Sequence, residues 1–291
     1  MSVLAPPDVV DAVLDVLEET VPELREVLAD RRGATGGINP SGERQLAADV
    51  WADETLVDRL GAIPGVGEIA TEEREGIVDC GEGLSLTVDP LDGSSNLTSN
   101  NLLGTIVGCY DAPLPAGGEA LVGAIAVCYG PTTTIHVAAD GQVREYVHCE
   151  DGLVCREDDL TLPEHTTVYG FGGRVPQWND DFSSYVSDVE SELKLRYGGA
   201  MIGDVNQVLT YGGIFSYPAL EDRPNGKLRL QFEGLPMAYL IEAAGGRSSD
   251  GSRSLLERSP KRLHERTPVH LGNAELVERV ERRLPARERS A

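Results

Sequence analysis

Between residues 8 and 31, Val9, Val13, Leu14, Leu17, Leu24 and Leu28 recur at mostly helical spacing with acids between them, which predicts an amphipathic helix with Pro22 as a candidate bend. The Gly-rich break RRGATGGINPSG ends it. A second helix is expected from about Ser41, a candidate N-cap, with Leu46, Val50, Val57 and Leu60 inward and Asp49 and Asp53 one turn apart on a shared face. The pattern then shortens. EIATEE, LSLTVDP, LLGTIVGCY, LVGAIAVCYG, TTIHVAA and QVREYV are β-prone runs separated by Gly, Pro and Asp turns, and they predict a mixed sheet behind helices. Beyond DLTLPEH, at 159–165, helices and strands alternate. Helices are expected at 182–194 and 201–209, and strands at 214–217 and 227–232. LPMAYLIEAAGG reads as a helix stopped by Gly245 and Gly246, followed by the strand TPVHLG and a last helix from Glu275 to Leu284. This change of pattern puts a domain boundary near residue 163, giving a mixed-sheet half at 1–163 and an α/β half at 164–291.

The composition of the 291 residues, 41% of them hydrophobic, is that of a chain with enough apolar material for a sizeable core. No apolar run approaches the roughly 18 to 20 residues of a membrane span, and MSVLAPPDVVDAV lacks the basic flank of a signal peptide, so a cytoplasmic protein is expected. Cys80, Cys109, Cys128, Cys149 and Cys155 show no CxxC spacing and read as reduced thiols. Acids outnumber bases 48 to 25, a net charge of −23, which argues against nucleic-acid partners because a polyanion is repelled. Lysine occurs only at Lys194, Lys227 and Lys261, and the acids are dispersed along the chain. Dispersed carboxylates keep a surface hydrated in strong salt, which screens their repulsion within about 3 Å at 1 M, so the composition points to a halophile, with an ordinary acidic enzyme as the alternative.

Chemistry concentrates at TVDPLDGSSNL, residues 87–97. Asp89 ends a run that reads as a buried strand, and Pro90 and Gly93 force the chain out of it. The N–H groups and hydroxyls of Gly93, Ser94 and Ser95 can cradle an anion if a helix begins there, while Asp89 and Asp92 offer hard oxygen ligands. Acids beside a phosphate cradle repel the anion that the cradle attracts. A divalent cation between them removes the conflict, because Mg²⁺ accepts carboxylate and phosphate oxygens together and lowers the pKa of a bound water. Further acids stand at other strand ends: Glu72 and Glu73 in IATEE, and Glu233 in LRLQFEGLP. An acid at a strand end is more often a solvated turn residue, and DPLDGSS alone also fits an Asx-type turn.

Taken together, DPLDGSSN, RYGGAM, YGGIFSYPA and GKLRLQFEGLPMAYLIEAAGG resemble class I fructose-1,6-bisphosphatase, among the lithium-sensitive, Mg²⁺-dependent sugar and inositol phosphatases. The resemblance runs from about Ser41 to Gly272. It implies an α/β (α+β) fold, a layered αβαβα sandwich with a metal-binding N-terminal half and a sugar-phosphate-binding C-terminal half. The metal roles it implies fall on Glu72, Glu73, Asp89, Asp92 and Glu233, with the backbone carbonyl of Leu91, for two or three Mg²⁺ per site and Mn²⁺ as a candidate substitute. The 1-phosphate cradle falls on Gly93, Ser94 and Ser95; Tyr197, Tyr217 and Lys227 match residues that bind the sugar and its 6-phosphate. Arg196 matches an arginine that reaches a neighbouring subunit's site, which implies a dimer at least and a homotetramer by the family's habit. Asp49 matches an acid that acts with Glu73 on the attacking water, so that Asp49, Glu73 and Asp92 form the implied catalytic group.

The implied reaction is hydrolysis of fructose 1,6-bisphosphate at its 1-phosphate, an irreversible step of gluconeogenesis. The alternatives are the same chemistry on sedoheptulose 1,7-bisphosphate or on inositol or sugar monophosphates, and a non-catalytic phosphosugar-binding module. The chain departs from the family pattern where Gly172 or Gly173 replaces an asparagine of the 6-phosphate site, with Arg174 as a candidate substitute, and where Thr98 replaces an acid after the cradle. The short N-terminal region lacks the Gly-Thr-rich turn and Lys-Tyr pair that bind the inhibitor AMP in many members. Inhibition by AMP is therefore expected to be weak or absent, and titration calorimetry that finds micromolar AMP affinity between the N-terminal helices contradicts this.

Overall fold

The first helix, α1 (Pro6–Asp30), buries every apolar position of its predicted stripe and runs on through Pro22. The structure, a computed structural model, describes residues 5–31, 33–40, 42 and 44–284. Ser41, the expected cap of the second helix, lies outside the described residues. Ala34–Ile38 and Arg44–Leu46 pair instead as a small antiparallel ladder, and α2 (Ala47–Gly61) starts after it. Leu46 takes the cap position, and the carboxylate of Asp49 accepts its N–H at 2.6 Å. The inward face of α2 is Ala48, Ala52, Leu56, Val57 and Leu60; Leu46 and Val50, expected inside, are half-buried.

An eight-stranded sheet follows. Across it the strands run Gly152–Glu157, Gln142–Cys149, Thr133–Ala139, Leu121–Tyr129, Leu103–Tyr110, Leu84–Asp92, Val66–Thr71 and Ile77–Asp79. All neighbours are antiparallel except Val66–Thr71 with Leu84–Asp92, so those two strands deliver their carboxyl ends to the same edge of the sheet. Side chains alternate across the sheet as a period of two demands. Val88, Val107 and Ile125 meet α1 and α2 on one face, while Ile106, Ala124 and Ala126 enter a second core on the other.

That second core joins the sheet to the C-terminal half. The short α3 (Asn96–Ser99) and then α4 (Asp180–Glu192) precede α5 (Met201–Tyr211) and α6 (Leu235–Ala243), and the last two lie between the eight-stranded sheet and a five-stranded one. The smaller sheet is ordered Lys194–Leu195, Val168–Phe171, Gly213–Tyr217, Val269–Gly272 and Arg247–Ser249, with the first three parallel and the rest antiparallel. Its outer face packs Tyr169, Phe171 and Ile214 on α4 and α7 (Ala274–Arg283) through Phe182, Tyr185 and Val280. The layer order is thus αβαβα, as expected.

Residues 227–232 are not the strand that KLRLQF suggests. Only Leu228–Arg229 is extended; Leu230–Gly234 is a single π-helical turn that runs into α6. Leu228 through Phe232 are all buried, so the alternation of polar and apolar residues does not reflect an exposed face. No helix of the described residues is long and apolar enough to cross a membrane.

Leu86 is fully buried in the core beneath α1 and α2, whereas Val175 is 66% exposed. Leu86→Ala is expected to cost about 2–5 kcal/mol and Val175→Ala less than about 0.5 kcal/mol, read from urea unfolding in concentrated KCl.

Candidate active site

The parallel strands Val66–Thr71 and Leu84–Asp92 end side by side, which brings Glu72 and Glu73 next to Asp89 and Asp92. The π-helical turn supplies Glu233 from the C-terminal half. Its carboxylate accepts the Arg229 N–H at 2.5 Å, so the turn's own backbone orients the acid. Oxygens of Asp89, Asp92 and Glu233 all lie within 4.8 Å of one another, and all three side chains are buried. They open into a cavity of about 580 Å³ that Asp49, Glu72 and Glu73 also line.

Each carboxylate has a different set of partners. Arg229 Nη2 stands 2.6 Å from Glu72 Oε1, and Nη1 stands 3.4 Å from Glu233 Oε2. Asn39 Nδ2, just after the strand Ala34–Ile38, donates to Glu72 at 3.1 Å and to Glu73 at 3.4 Å, and Gln45 Nε2 donates to Glu73. Asp92 Oδ2 accepts the Ile202 N–H at 2.7 Å, and Asp89 Oδ1 accepts the Leu91 N–H at 3.1 Å. Asp89 Oδ2 is enclosed with no hydrogen-bond partner among the described residues.

Protonation follows from this crowding. Burial, opposed by Arg229 and reinforced by Glu233, pushes the Glu72 carboxyl up to about 8. Burial and the charge of Glu233 push Asp92 up to about 7 against the pull of the Ile202 amide. Asp89 is raised well above the ordinary carboxylate range by burial and then by Glu72, and Glu73 is raised by burial against its bonds to Gln45 and Asn39. Carboxylates this close, with one buried oxygen unpartnered among the described residues and the Arg229 guanidinium bonded to both Glu72 and Glu233, fit a divalent cation. The donors are all oxygens, which suits Mg²⁺ or Mn²⁺ better than softer metals.

Beside the acids the chain turns sharply at Gly93, whose φ is +75°. Only a glycine fits, because a Cβ there would lie 2.2 Å from that of Ala200. Gly93, Ser94, Ser95 and Thr98 all line the cavity. The Ser94 N–H donates to the Leu91 carbonyl at 3.0 Å, so Ser94 offers an anion its hydroxyl rather than the amide expected of the cradle.

The far wall carries Tyr197, Tyr217 and Lys227, with Lys227 Nζ 5.7 Å from the centre of the Tyr217 ring. Gly172 is the floor under that ring: a Cβ on it would meet Tyr217 Cδ2 at 2.2 Å. A side chain at this position would displace the tyrosine ring that packs there. Arg174 does not substitute for an asparagine there, since its side chain is exposed and does not line the cavity. Arg196 is also outside the cavity. It is exposed, stacks over the Tyr211 ring at 5.4 Å and donates to Gln207 at 3.1 Å. Asp53, on the face of α2 shared with Asp49, is paired instead with Arg74 at 2.7 Å and lies outside the cavity lining.

Three cavity residues escape the sequence reading, Asn39, Asp204 and Arg229, and so does Gln45, which bonds Glu73 from beside the cavity. Arg229 had a readable signal, a cation four residues before Glu233 in an acid-rich site. Asn39 sits in the Gly-rich break and Gln45 in what reads as the first turn of the second helix, and neither stretch carries a chemical signal.

Residues 20–156 match the family described as fructose-1-6-bisphosphatase, N-terminal domain, and residues 162–284 match fructose-1-6-bisphosphatase, C-terminal domain. The chain is 58% identical over 281 residues to fructose-1,6-bisphosphatase class 1 of Natronomonas pharaonis, covering 96% of this chain and 99% of that one. It is 54% identical over 281 residues to the class 1 protein of Halobacterium salinarum, covering 96% and 98%. The crystal structure of Leishmania major fructose-1,6-bisphosphatase in holo form superposes with a TM-score of 0.87 at 26% identity over 92% of each chain. The acid-lined cavity between two stacked sheets thus stands in a chain that belongs to the class 1 fructose-1,6-bisphosphatase family.

Proposed function

We propose that this chain hydrolyses the 1-phosphate ester of D-fructose 1,6-bisphosphate to fructose 6-phosphate and phosphate, using two or three Mg²⁺ held by Glu72, Glu73, Asp89, Asp92, Glu233 and the Leu91 carbonyl. The observation that carries this reading is the convergence of five carboxylates from three chain segments beside a glycine–serine turn in one cavity. When bound there, the cations neutralise the acids, draw in the phosphate and make water a better nucleophile near neutral pH.

The chain's own groups do the rest. Asp49 and Glu73 face the cavity and orient the attacking water; Glu73, raised in proton affinity by burial, takes its proton. Gln45 and Asn39 hold Glu73 in place for this role. Hydroxyls of Ser94 and Ser95 and the backbone at Gly93 steady the phosphoryl oxygens, so the cradle acts by positioning and electrostatics. Arg229 keeps positive charge beside Glu72 and Glu233 and opposes the rise in proton affinity that burial imposes on Glu72. Lys227, Tyr217 and Tyr197 bind the sugar and the 6-phosphate, and their binding energy orients the reacting end. Lys227 across the cavity from the serines favours a substrate with two phosphates over a monophosphate. Arg196, exposed beside Tyr211, completes the site of a second copy in a homodimer or homotetramer, whose mass in sedimentation equilibrium must exceed 31.2 kDa. The dispersed excess of acids supports adaptation to strong salt.

Phosphate release from fructose 1,6-bisphosphate in Mg²⁺ and concentrated KCl is expected to stop on addition of chelator. Asp92→Ala and Glu72→Gln are each expected to lower kcat by about 10²–10³-fold or more. Release from the parent protein that persists in chelator, or near-normal turnover by Asp92→Ala, contradicts the metal assignment. Faster turnover of a sugar monophosphate than of the bisphosphate favours the monophosphatase alternative.

The pH dependence of stability has a definite sign. Glu72 and Asp92 hold protons in the folded state up to about 8 and about 7, far above their ordinary values, so the metal-free fold binds more protons than the unfolded chain. Stability from these groups is complete below the ordinary carboxylate range and is lost as pH rises through 7 and 8. His264, whose pKa burial lowers, has the opposite sign, and its effect ends near 6.5. The melting temperature in chelator is therefore expected to fall between about pH 6.5 and 8.5, and Mg²⁺ is expected to raise it more at pH 8.5 than at 6.5. A melting temperature in chelator that climbs across this window contradicts the protonation scheme.

A further inference from the structure

The Gly198 peptide is gripped at both ends. Its N–H donates to Asp204 Oδ1 at 2.5 Å, and its carbonyl accepts from Asn96 Nδ2 at 2.9 Å and from Asn101 Nδ2 at 2.8 Å. Asn96 belongs to the far end of the cradle turn, where its own N–H closes on the Gly93 carbonyl at 2.8 Å. Asp204 belongs to the first turn of α5, in the C-terminal half, is 2% exposed and lines the cavity. Two further contacts join the same segments: the Ile202 N–H to Asp92, and Ala200 packed where Gly93 has no side chain. Tyr197, next to Gly198 in the chain, lines the same cavity as the cradle.

Asp204 is costly where it stands. Its Oδ2 is enclosed with no hydrogen-bond partner among the described residues, and burial raises the carboxyl to about 7 against the pull of the Gly198 and Gly199 amides. An apolar side chain would avoid the penalty of an orphaned buried oxygen, so the acceptor for Gly198 must have a use. The turn it holds connects a group that meets the non-reacting end of the substrate to the cradle that meets the reacting end.

We infer that Asp204 is a positioning residue: by holding the Gly198 peptide against Asn96 it fixes Tyr197 relative to the Ser94–Ser95 cradle, and so sets the separation at which the two phosphates of a sugar bisphosphate are received. This rests on the bisphosphatase reading above. Because Tyr197 meets a part of the substrate that does not react, loss of the grip weakens binding more than it slows the chemical step.

The test uses the full-length protein with fructose 1,6-bisphosphate, Mg²⁺ and concentrated KCl. Asp204→Ala raises KM about tenfold while kcat changes less than about threefold. Asp204→Asn restores KM, since an amide oxygen still accepts the Gly198 N–H. In a Tyr197→Phe background, Asp204→Ala adds little further loss, because the hydroxyl it positions is already gone. Should Asp204→Ala fail to fold, Asn101→Ala loosens the carbonyl end of the same peptide from the exposed surface, and it too raises KM. The inference is overturned by parent-like KM in Asp204→Ala, by Asp204→Asn as defective as the alanine variant, by losses that add to that of Tyr197→Phe, or by unchanged KM in Asn101→Ala. A parent protein that releases no phosphate sinks the bisphosphatase reading itself and this inference with it; the other outcomes bear on Asp204 alone.

Discussion

Mutual repulsion among buried carboxylates is the constraint around which this molecule is arranged. At separations below 4.8 Å and an effective dielectric of about 20, each ionised pair among Asp89, Asp92 and Glu233 repels by roughly 3 kcal/mol or more. Such a cluster persists only if something holds the acids against one another. The ends of two parallel strands fix Asp89, Asp92, Glu72 and Glu73, and a π-helical turn locked by its own backbone N–H fixes Glu233. Protons and the Arg229 guanidinium lower the charge of the cluster, and a bound cation lowers it further.

The layering serves this arrangement. With α5 and α6 buried between two sheets, the C-terminal half presents Glu233, Lys227 and Arg229 to acids that belong to the N-terminal half. The interlayer core contains residues of both halves, from Ile106 and Tyr110 to Phe215 and Leu240. A site divided between two packed layers inherits their rigidity, and electrostatic catalysis depends on rigid placement because dipoles and charges that must reorient during reaction lose most of their effect. Direct bonds across the cradle, from Ile202 to Asp92 and from Asn96 to Gly198, strengthen that placement at the point of chemistry.

The second phosphate site follows a different economy. Gly172 lets the Tyr217 ring pack directly against the backbone. Charge on that wall comes from Lys227, with Arg229 committed to the acids. In a chain with three lysines and a net charge of −23, one well-placed cation stands out from its surroundings more than it would on a neutral surface.

Much of this was legible in the sequence. The stripe of α1, the β-prone apolar runs of Leu103–Tyr110 and Leu121–Tyr129, and the Asp-Pro-Leu-Asp-Gly-Ser-Ser turn after an apolar run are local patterns, set by residues near one another in the chain. The identities of the five acids could be read for the same reason, as each ends a strand or borders a Gly or Pro break. Other features depend on contacts between distant segments. The alternation of KLRLQF resembles a strand, but burial on all sides and the backbone bond to Glu233 turn it into a π-helical turn. Asn39 and Gln45 gain their role only because a ladder of unremarkable composition folds over Glu72 and Glu73. Asp204 and Asn96 meet through Gly198, about a hundred positions from the cradle, and Arg174 is exposed and outside the cavity lining. Local pattern determined which residues could carry the chemistry; long-range packing decided which of them face one another, because distance, shared burial and the pairing of charges exist only once the layers are assembled.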